Sequence, residues 1–119
     1  MEKSKKNNFH DDLKEYMDQL VTNVYIVTKS FPKEEVYGIT SQLRRSALSI
    51  ILNYIEGYAR HNKKVYKNFL EISFGSLKET KYLLYFCHKM KYINDRDYYP
   101  LHELTENIGK MLWGVINKM

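Results

Sequence analysis

The chain has 119 residues and contains little of several residue types that mark particular classes of protein. Its single cysteine, Cys87, excludes an internal disulfide framework and is typical of a reducing compartment. Its apolar runs end after a few residues, far short of the roughly 18 that a membrane span needs. The N-terminal residues are charged and polar, which predicts no cleaved secretory signal. We therefore expect one soluble, cytoplasmic domain without a membrane partner.

The residue patterns that accompany catalysis are missing as well. No glutamate is followed three residues later by a histidine, which excludes the di-iron motif of helical bundles. No HExxH or CxxC motif occurs, and the sequence has no Gly-rich loop after a predicted strand. The adjacent Cys87 and His88 point about 100° apart on a helix, so Cys87 is interpreted as a core residue. The sequence predicts a protein that is not an enzyme and has no cofactor, metal or small-molecule substrate.

What the sequence does contain is helical periodicity in four stretches. In the first stretch apolar residues recur every three or four positions, which places on one helix face Leu13, Met17, Leu20, Val24, Val27 and Phe31. Comparable patterns predict helices over about 10–30, 33–60, 63–90 and 94–117. We expect an all-α fold, an antiparallel up-down-up-down four-helix bundle at 10–119, preceded by a flexible N-terminal arm at 1–9.

The helix ends carry recognisable signals. Pro32 ends the first helix and fits the first turn of the second, while Asn62 and Asn94 are N-caps for the third and fourth. Pro100 lies too deep for a first turn, which predicts a kink or a separate short turn. Four glycines fall inside the helical patterns, where we interpret them as sites of close helix packing: Gly38, Gly75, Gly109 and Gly114.

The second and third predicted helices each carry two adjacent apolar seams. Such a stripe is wider than one partner helix covers. The sequence leaves open whether the rest is covered inside one bundle or by another copy, and we favour self-association. The candidate oligomer-interface residues are Gln42, Leu48, Ile51, Asn53, Ile55, Glu56 and Glu79.

The net charge of +5 is concentrated in one part of the chain. Residues 60–91 hold eight of the 19 basic residues but two of the 14 acidic ones. A face of this kind attracts a polyanion or merely keeps the protein soluble, and the sequence does not separate the two. The candidate nucleic-acid-binding residues are Arg44, Arg45, Arg60, Lys63, Lys64, Lys67, Lys78 and Lys81. Tyr58 and Tyr66 are candidates for base stacking or for packing. For Arg44 and Arg45 the alternative is pairing with Glu56 or Glu79 of the same or a neighbouring chain.

Four segments in order, VTKSFPKEEVYGITSQLRRSALSI, NYIEGYAR, KNFLEISFGSLKET and IGKMLWGVI, give the chain a resemblance to a known family. It resembles the four-helix bundle family of 23S rRNA intervening-sequence proteins, which includes accessory variability proteins of diversity-generating retroelements. The resemblance extends from Phe9 to Ile116. The family pattern falls on Gln42, Arg44, Arg45, Asn53, Glu56, Gly57, Ser76, Leu77 and Glu79.

This resemblance implies a basic bundle that assembles into a ring, typically a homopentamer. It also implies that retroelement members bind nucleic acid and a reverse transcriptase, and it provides no catalytic residue. The sequence departs from the family where Ile51 and Leu52 replace the usual proline and serine. Our leading hypothesis is a helical oligomer that binds RNA or DNA independently of sequence, and the alternative is a protein–protein interaction scaffold.

Overall fold

The computed structural model describes the backbone of residues 5–119 and the side chains of residues 8–119. Over the described residues the chain forms no strand, and its α-helices are α1 (Lys5–Val27), α2 (Ile39–Tyr58), α3 (Lys63–Lys89) and α4 (Asp95–Asn117). Short 3-10 turns at Thr28–Ser30 and Lys33–Glu35 connect α1 to α2. None of these described helices has the length and apolar character that crossing a bilayer requires. The predicted all-α fold is confirmed.

Contacts between the helices show that each runs antiparallel to the next. Along α1 and α2, His10 contacts Tyr54 whereas Thr28 contacts Arg44. The same reversal relates α2 to α3 through Ser46–Thr80 and Gly57–Phe69, and α3 to α4 through Phe74–Trp113 and Lys81–Glu106. Because α1 also packs against α4, the helices form a closed square. The α1–α2 side therefore lies across the bundle from the α3–α4 side.

The core follows the predicted helical periodicity. On α1 the side chains of Leu13, Met17, Leu20 and Val24 are fully buried, as the spacing predicts. Buried positions on the other helices alternate by three and four in the same way and include Leu43, Ala47, Ile50, Tyr54, Leu70, Leu77, Leu84, Cys87, Leu101, Ile108 and Leu112. The second apolar seam of each of α2 and α3 is different, because most of its side chains remain exposed or half-buried. These seams include Leu48, Ile51, Ile55 and Tyr58 of α2 and Val65, Phe69 and Ile72 of α3.

The first two helices begin at other residues than the sequence predicts. Helix α1 already begins at Lys5, so the predicted arm at 1–9 is too long by at least five residues, and residues 1–4 lie outside the described part. Helix α2 begins at Ile39 rather than near Lys33. Gly38 precedes it with φ −106° and ψ −116°, which interrupts the helix. The carboxylate of Glu35 accepts a hydrogen bond from the Ile39 N–H at 3.4 Å and so occupies the space beside Gly38.

The predicted starts of α3 and α4 are confirmed. The Asn62 side chain accepts hydrogen bonds from two backbone N–H groups of the first turn of α3, and Asn94 accepts one from Asp97 at 2.9 Å. Helix α4 continues through Pro100, so the predicted separate first turn does not occur. Proline has no N–H group, so Pro100 cannot donate to the carbonyl of Arg96. Both residues are exposed, so water can donate to this carbonyl instead.

Small residues bring α2 and α3 close together. Ser73 donates to the Ile50 carbonyl at 2.7 Å, and the hydroxyls of Ser49 and Ser76 are 2.8 Å apart. At the end of the pair, a Cβ on Gly57 would lie 2.8 Å from Cβ of Phe69. Gly57 is thus the packing glycine, whereas a Cβ at Gly75 or Gly114 would meet no atom within 4 Å. The packing role predicted for those two glycines, and for Gly38, is wrong.

Candidate nucleic-acid interface

Three of the predicted cations lie on the side of α3 that faces α4. They are Lys67, Lys78 and Lys81, which the helical repeat places along one side of α3. Lys81 forms an ion pair with Glu106 of α4, and its hydrogen bond and positive charge lower the pKa of that carboxyl group. Lys110 of α4 lies beside Lys78 and Lys81 in the same depression. The two helices together therefore present a basic surface.

An aromatic pair lies in the middle of these cations. The ring centroids of Phe74 on α3 and Trp113 on α4 are 5.6 Å apart with a 42° angle between the rings. The Lys78 ammonium lies 5.1 Å from the centroid of Phe74. The Trp113 side chain is 53% exposed. We name this surface, lined by Lys67, Phe74, Gly75, Lys78, Lys110 and Trp113, the α3–α4 groove.

Three side chains of the α3–α4 groove are not among the residues predicted from the sequence. Phe74, Lys110 and Trp113 were not selected, although Lys110 and Trp113 are three positions apart in the segment GKMLWG, so both lie on one helix face. Their pairing with α3 is a tertiary contact between residues almost 40 positions apart, which local periodicity does not show. The lysines of α3 were the available signal, but Lys110 and Trp113 of the groove are on α4.

A second group of predicted cations lies at the turn between α2 and α3. The Arg60 guanidinium is 2.5 Å from the Glu56 carboxylate and stands over the ring of Phe69 at 5.3 Å. Lys63 and Lys64 are exposed in the first turn of α3. Their charge adds to the positive end of the helix dipole. This end of the bundle is therefore also positive and adjoins Lys67.

Arg44 lies on the opposite side of the bundle. Its Nε donates to the Thr28 hydroxyl at 2.8 Å, its Nη2 donates to the Tyr25 carbonyl at 3.4 Å, and its guanidinium covers the Tyr25 ring at 4.7 Å. Within the subunit Arg44 thus joins α2 to the end of α1, and Glu56 pairs with Arg60, so Arg44 does not pair with Glu56 of its own chain. Pairing with a carboxylate of a neighbouring chain stays a prediction. Arg45 is exposed on the outer side of α2.

The two tyrosines considered for base stacking pack within an aromatic cluster at one end of the bundle. Tyr58 lies 6.1 Å from Tyr54 and 6.3 Å from Tyr66, and the His10 ring is 4.4 Å from Tyr58. Tyr54 is fully buried and its hydroxyl contacts His10. Burial raises the pKa of both Tyr54 and Tyr66. Packing is therefore the role that the structure gives to Tyr66, which is half-buried.

The predicted oligomer-interface residues lie on α2 and α3, both of which carry exposed apolar side chains. Leu48, Leu52 and Ile55 of α2 are 38%, 52% and 48% exposed, and Ile72 of α3 is 46% exposed. Gln42, Glu56 and Glu79 are exposed as well. Ile51 is half-buried against the core, and the Asn53 amide donates to the Ser49 carbonyl at 2.8 Å. Ile51 and Asn53 therefore make contacts within their own subunit.

The remaining reactive side chains were compared with the requirements of a metal site and of a thiol nucleophile. In those residues no three His, Cys, Asp or Glu side chains are placed to hold a metal ion together. Cys87 is fully buried, and burial raises the pKa of its thiol to about 12. A thiol with this pKa is a poor nucleophile near neutral pH. Cys87 is confirmed as a core residue.

Comparisons with known proteins agree with this fold. A crystal structure of a protein of unknown function from the S23 ribosomal protein family of Bacteroides thetaiotaomicron superposes with a TM-score of 0.81 at 22% sequence identity. The superposition covers 87% of this chain and 97% of that one, so it shows a shared fold. No curated protein matches the chain. The sequence model of the 23S rRNA-intervening sequence protein family matches residues 12–114. The chain therefore belongs to the 23S rRNA-intervening sequence protein family.

Proposed function

We propose that this protein is a non-enzymatic helical bundle that binds RNA or DNA independently of sequence through the α3–α4 groove. The observation that carries the proposal is the convergence of Lys67, Lys78 and Lys110 from two helices around one exposed tryptophan. Cations at this spacing attract phosphates without reading base identity. The family takes its name from an rRNA intervening sequence, which also favours a nucleic-acid partner.

Charge balance in the groove favours a polyanion over a protein surface of mixed charge. Glu71 and Glu106 are the carboxylates that line its two hollows, and Glu106 is already paired with Lys81. The remaining cations, Lys67, Lys78 and Lys110, form no ion pair with any described residue. The aromatic rings between them provide contact area that does not depend on charge.

We also propose that copies of the chain associate through the outer face of α2 and α3, as a ring of the kind that the resemblance implies. The contacts Ser73–Ile50 and Ser49–Ser76 set the register of the two helices and put Leu52 level with Ile72. Leu52 and Ile72 are both about half exposed, and exposed apolar side chains that lie close together mark interaction sites. This face adjoins the α3–α4 side, so association places the grooves of several subunits on one assembly.

Binding is tested by fluorescence anisotropy with a labelled oligonucleotide at increasing salt concentration. We expect the logarithm of the binding constant to fall linearly with the logarithm of salt, since each phosphate contact releases bound counterions. The double variant Lys78→Gln/Lys110→Gln removes two contacts, which should reduce the slope by about 1.4 for a single strand. The matched control is Lys29→Gln/Lys33→Gln, which removes the same charge from exposed positions in the turns between α1 and α2.

Two results would contradict nucleic-acid binding through the groove. One is a slope near zero in wild-type protein, and the other is an equal loss of affinity in the two double variants. A protein that binds no oligonucleotide but retains a protein partner after nuclease treatment is the scaffold of the alternative hypothesis.

A further inference from the structure

We infer that the α3–α4 groove binds single-stranded rather than duplex nucleic acid, with an unpaired base stacked on the indole of Trp113. This inference rests on the proposed function and names the form of nucleic acid that the groove selects. An exposed aromatic ring, open space around it and cations on either side of it are the features that favour a single strand.

The aromatic pair has one covered ring and one open ring. Phe74 is half-buried and contacts both Trp113 and the Lys78 ammonium. Trp113 rests on Phe74 but remains 53% exposed. An indole that packs against a neighbouring ring and still remains exposed is a platform on which another flat ring can stack.

The space beside Trp113 is open on both sides along the groove. A hollow of about 430 Å³ lies towards Lys67, Glu71 and Gly75, and one of about 210 Å³ lies towards Lys110 and Gly109. Phe74 and Trp113 line both hollows, which are therefore parts of one groove. Gly75 keeps the larger hollow open, since a Cβ there would meet no atom within 4 Å.

The cations are placed for phosphates on either side of a stacked base. Lys67 lines the larger hollow, whereas Lys78 and Lys110 line the smaller one. A strand running along the groove therefore meets positive charge before and after Trp113. Stacking platforms between cations bind single strands, because every unpaired base exposes a flat face. In a duplex the bases are stacked on one another, so Trp113 would reach only the backbone or a groove edge.

The fluorescence of Trp113 tests this inference directly, because Trp113 is the only tryptophan in the chain. We expect a single-stranded oligonucleotide to quench the fluorescence saturably and its duplex to quench it little. Trp113→Ala should lower single-strand affinity about 5- to 150-fold, the range of one base–aromatic stack, and change duplex affinity less than twofold. Trp113→Phe should restore part of the loss. The matched control is Tyr37→Ala, which removes an aromatic ring that is 95% exposed near the start of α2.

A second variant protects the test against a fold defect in Trp113→Ala. Gly75→Leu removes no contact and places a side chain in the larger hollow, so it should lower single-strand affinity while thermal unfolding stays cooperative. Equal affinity for both forms, unchanged by Trp113→Ala and Gly75→Leu, would overturn the inference and leave the proposed function standing. Absence of binding to either form at low salt would overturn both.

Discussion

Lys81 of α3 and Glu106 of α4 form an ion pair that joins the two helices at the edge of the α3–α4 groove. The hydrogen bond and charge of Lys81 lower the pKa of the Glu106 carboxyl group, so Glu106 stays ionised to a lower pH than a free glutamate does. The pair thus withholds one lysine of the basic surface from phosphate while it holds the helices together. The ion pair therefore reduces the positive charge of the groove that is available to phosphate.

Glu106→Gln should increase nucleic-acid affinity. The change frees Lys81 and removes a negative charge from the groove, which is worth about one additional phosphate contact, or about fivefold in affinity at 0.1 M salt. Anisotropy titrations measure the effect. Glu103→Gln is the control, since it removes the same charge from an exposed position on α4. An equal gain in the two variants would show that only net charge matters.

Gly57→Ala should destabilise the fold. The new Cβ would lie 2.8 Å from Cβ of Phe69 and 3.2 Å from the Tyr66 carbonyl oxygen, so α2 and α3 would have to separate. We expect a loss of about 1–3 kcal/mol in the free energy of unfolding, measured by urea denaturation. Gly75→Ala is the matched control and should stabilise the protein by about 0.5–1 kcal/mol, because its Cβ meets nothing. Equal effects would refute the close approach at Gly57.

Thr40→Val should stabilise the protein. The Thr40 hydroxyl is the buried side-chain polar atom that has no hydrogen-bond partner among the described residues. Leaving such a group unpaired costs about 1–3 kcal/mol, part of which the valine recovers. Thr80→Val is the control, because the Thr80 hydroxyl lies 2.8 Å from that of Ser46 and its loss should destabilise by about 1 kcal/mol. A lower urea-denaturation midpoint in Thr40→Val than in wild-type protein would show that the Thr40 hydroxyl has a hydrogen-bond partner.

Leu52→Glu/Ile72→Glu should dissociate the proposed oligomer into monomers. Both side chains are about half exposed in one subunit, so the charges cost little in the monomer but are expensive in a buried interface. Light scattering should give a multiple of 14.3 kDa for wild-type protein and a single subunit mass for the variant. Ile26→Glu, which is 56% exposed on α1, is the control. A wild-type mass of one subunit at all concentrations would rule out association.

The stability of the fold should fall at alkaline pH, in part through Cys87. The pKa of the buried thiol is raised from 9.0 to about 12, so the unfolded chain loses this proton first as pH rises. The free energy of unfolding should therefore decrease between about pH 9 and pH 12. Cys87→Ala should show a shallower decrease over this range, by about one proton in the pH slope of urea denaturation. An unchanged slope would show that the thiol ionises in the folded state.

The sequence predicted the fold better than the site, for a physical reason. Side-chain periodicity reports which face of a helix is buried, so Leu13, Leu43 and Leu77 were assigned correctly. Helix N-caps are local as well, which explains the success at Asn62 and Asn94. The Glu35 carboxylate beside Gly38 also accepts a hydrogen bond from Tyr92, 57 positions away, and Gly75 lines a hollow together with Trp113 of α4. Neither is visible in local spacing.

The distribution of the predicted cations illustrates the same limit. Lys67 and Lys78 were selected from a local excess of lysine and do lie in one groove, whereas Arg44, selected as an arginine among the apolar residues of the second helix, lies across the bundle against Tyr25. Charge counting along the chain does not distinguish the sides of a helix pair. The two residues that complete the groove, Lys110 and Trp113, come from another helix.

Crosslinking tests the location of bound nucleic acid most directly. A single strand that contains 4-thiothymidine is irradiated in complex with the wild-type protein, and the crosslinked peptides are identified by mass spectrometry. Our account predicts crosslinks within residues 67–81 and 105–118, with Trp113 or Phe74 among the modified positions. Crosslinks that fall mainly on α1 and the Arg44 side of α2 would contradict it.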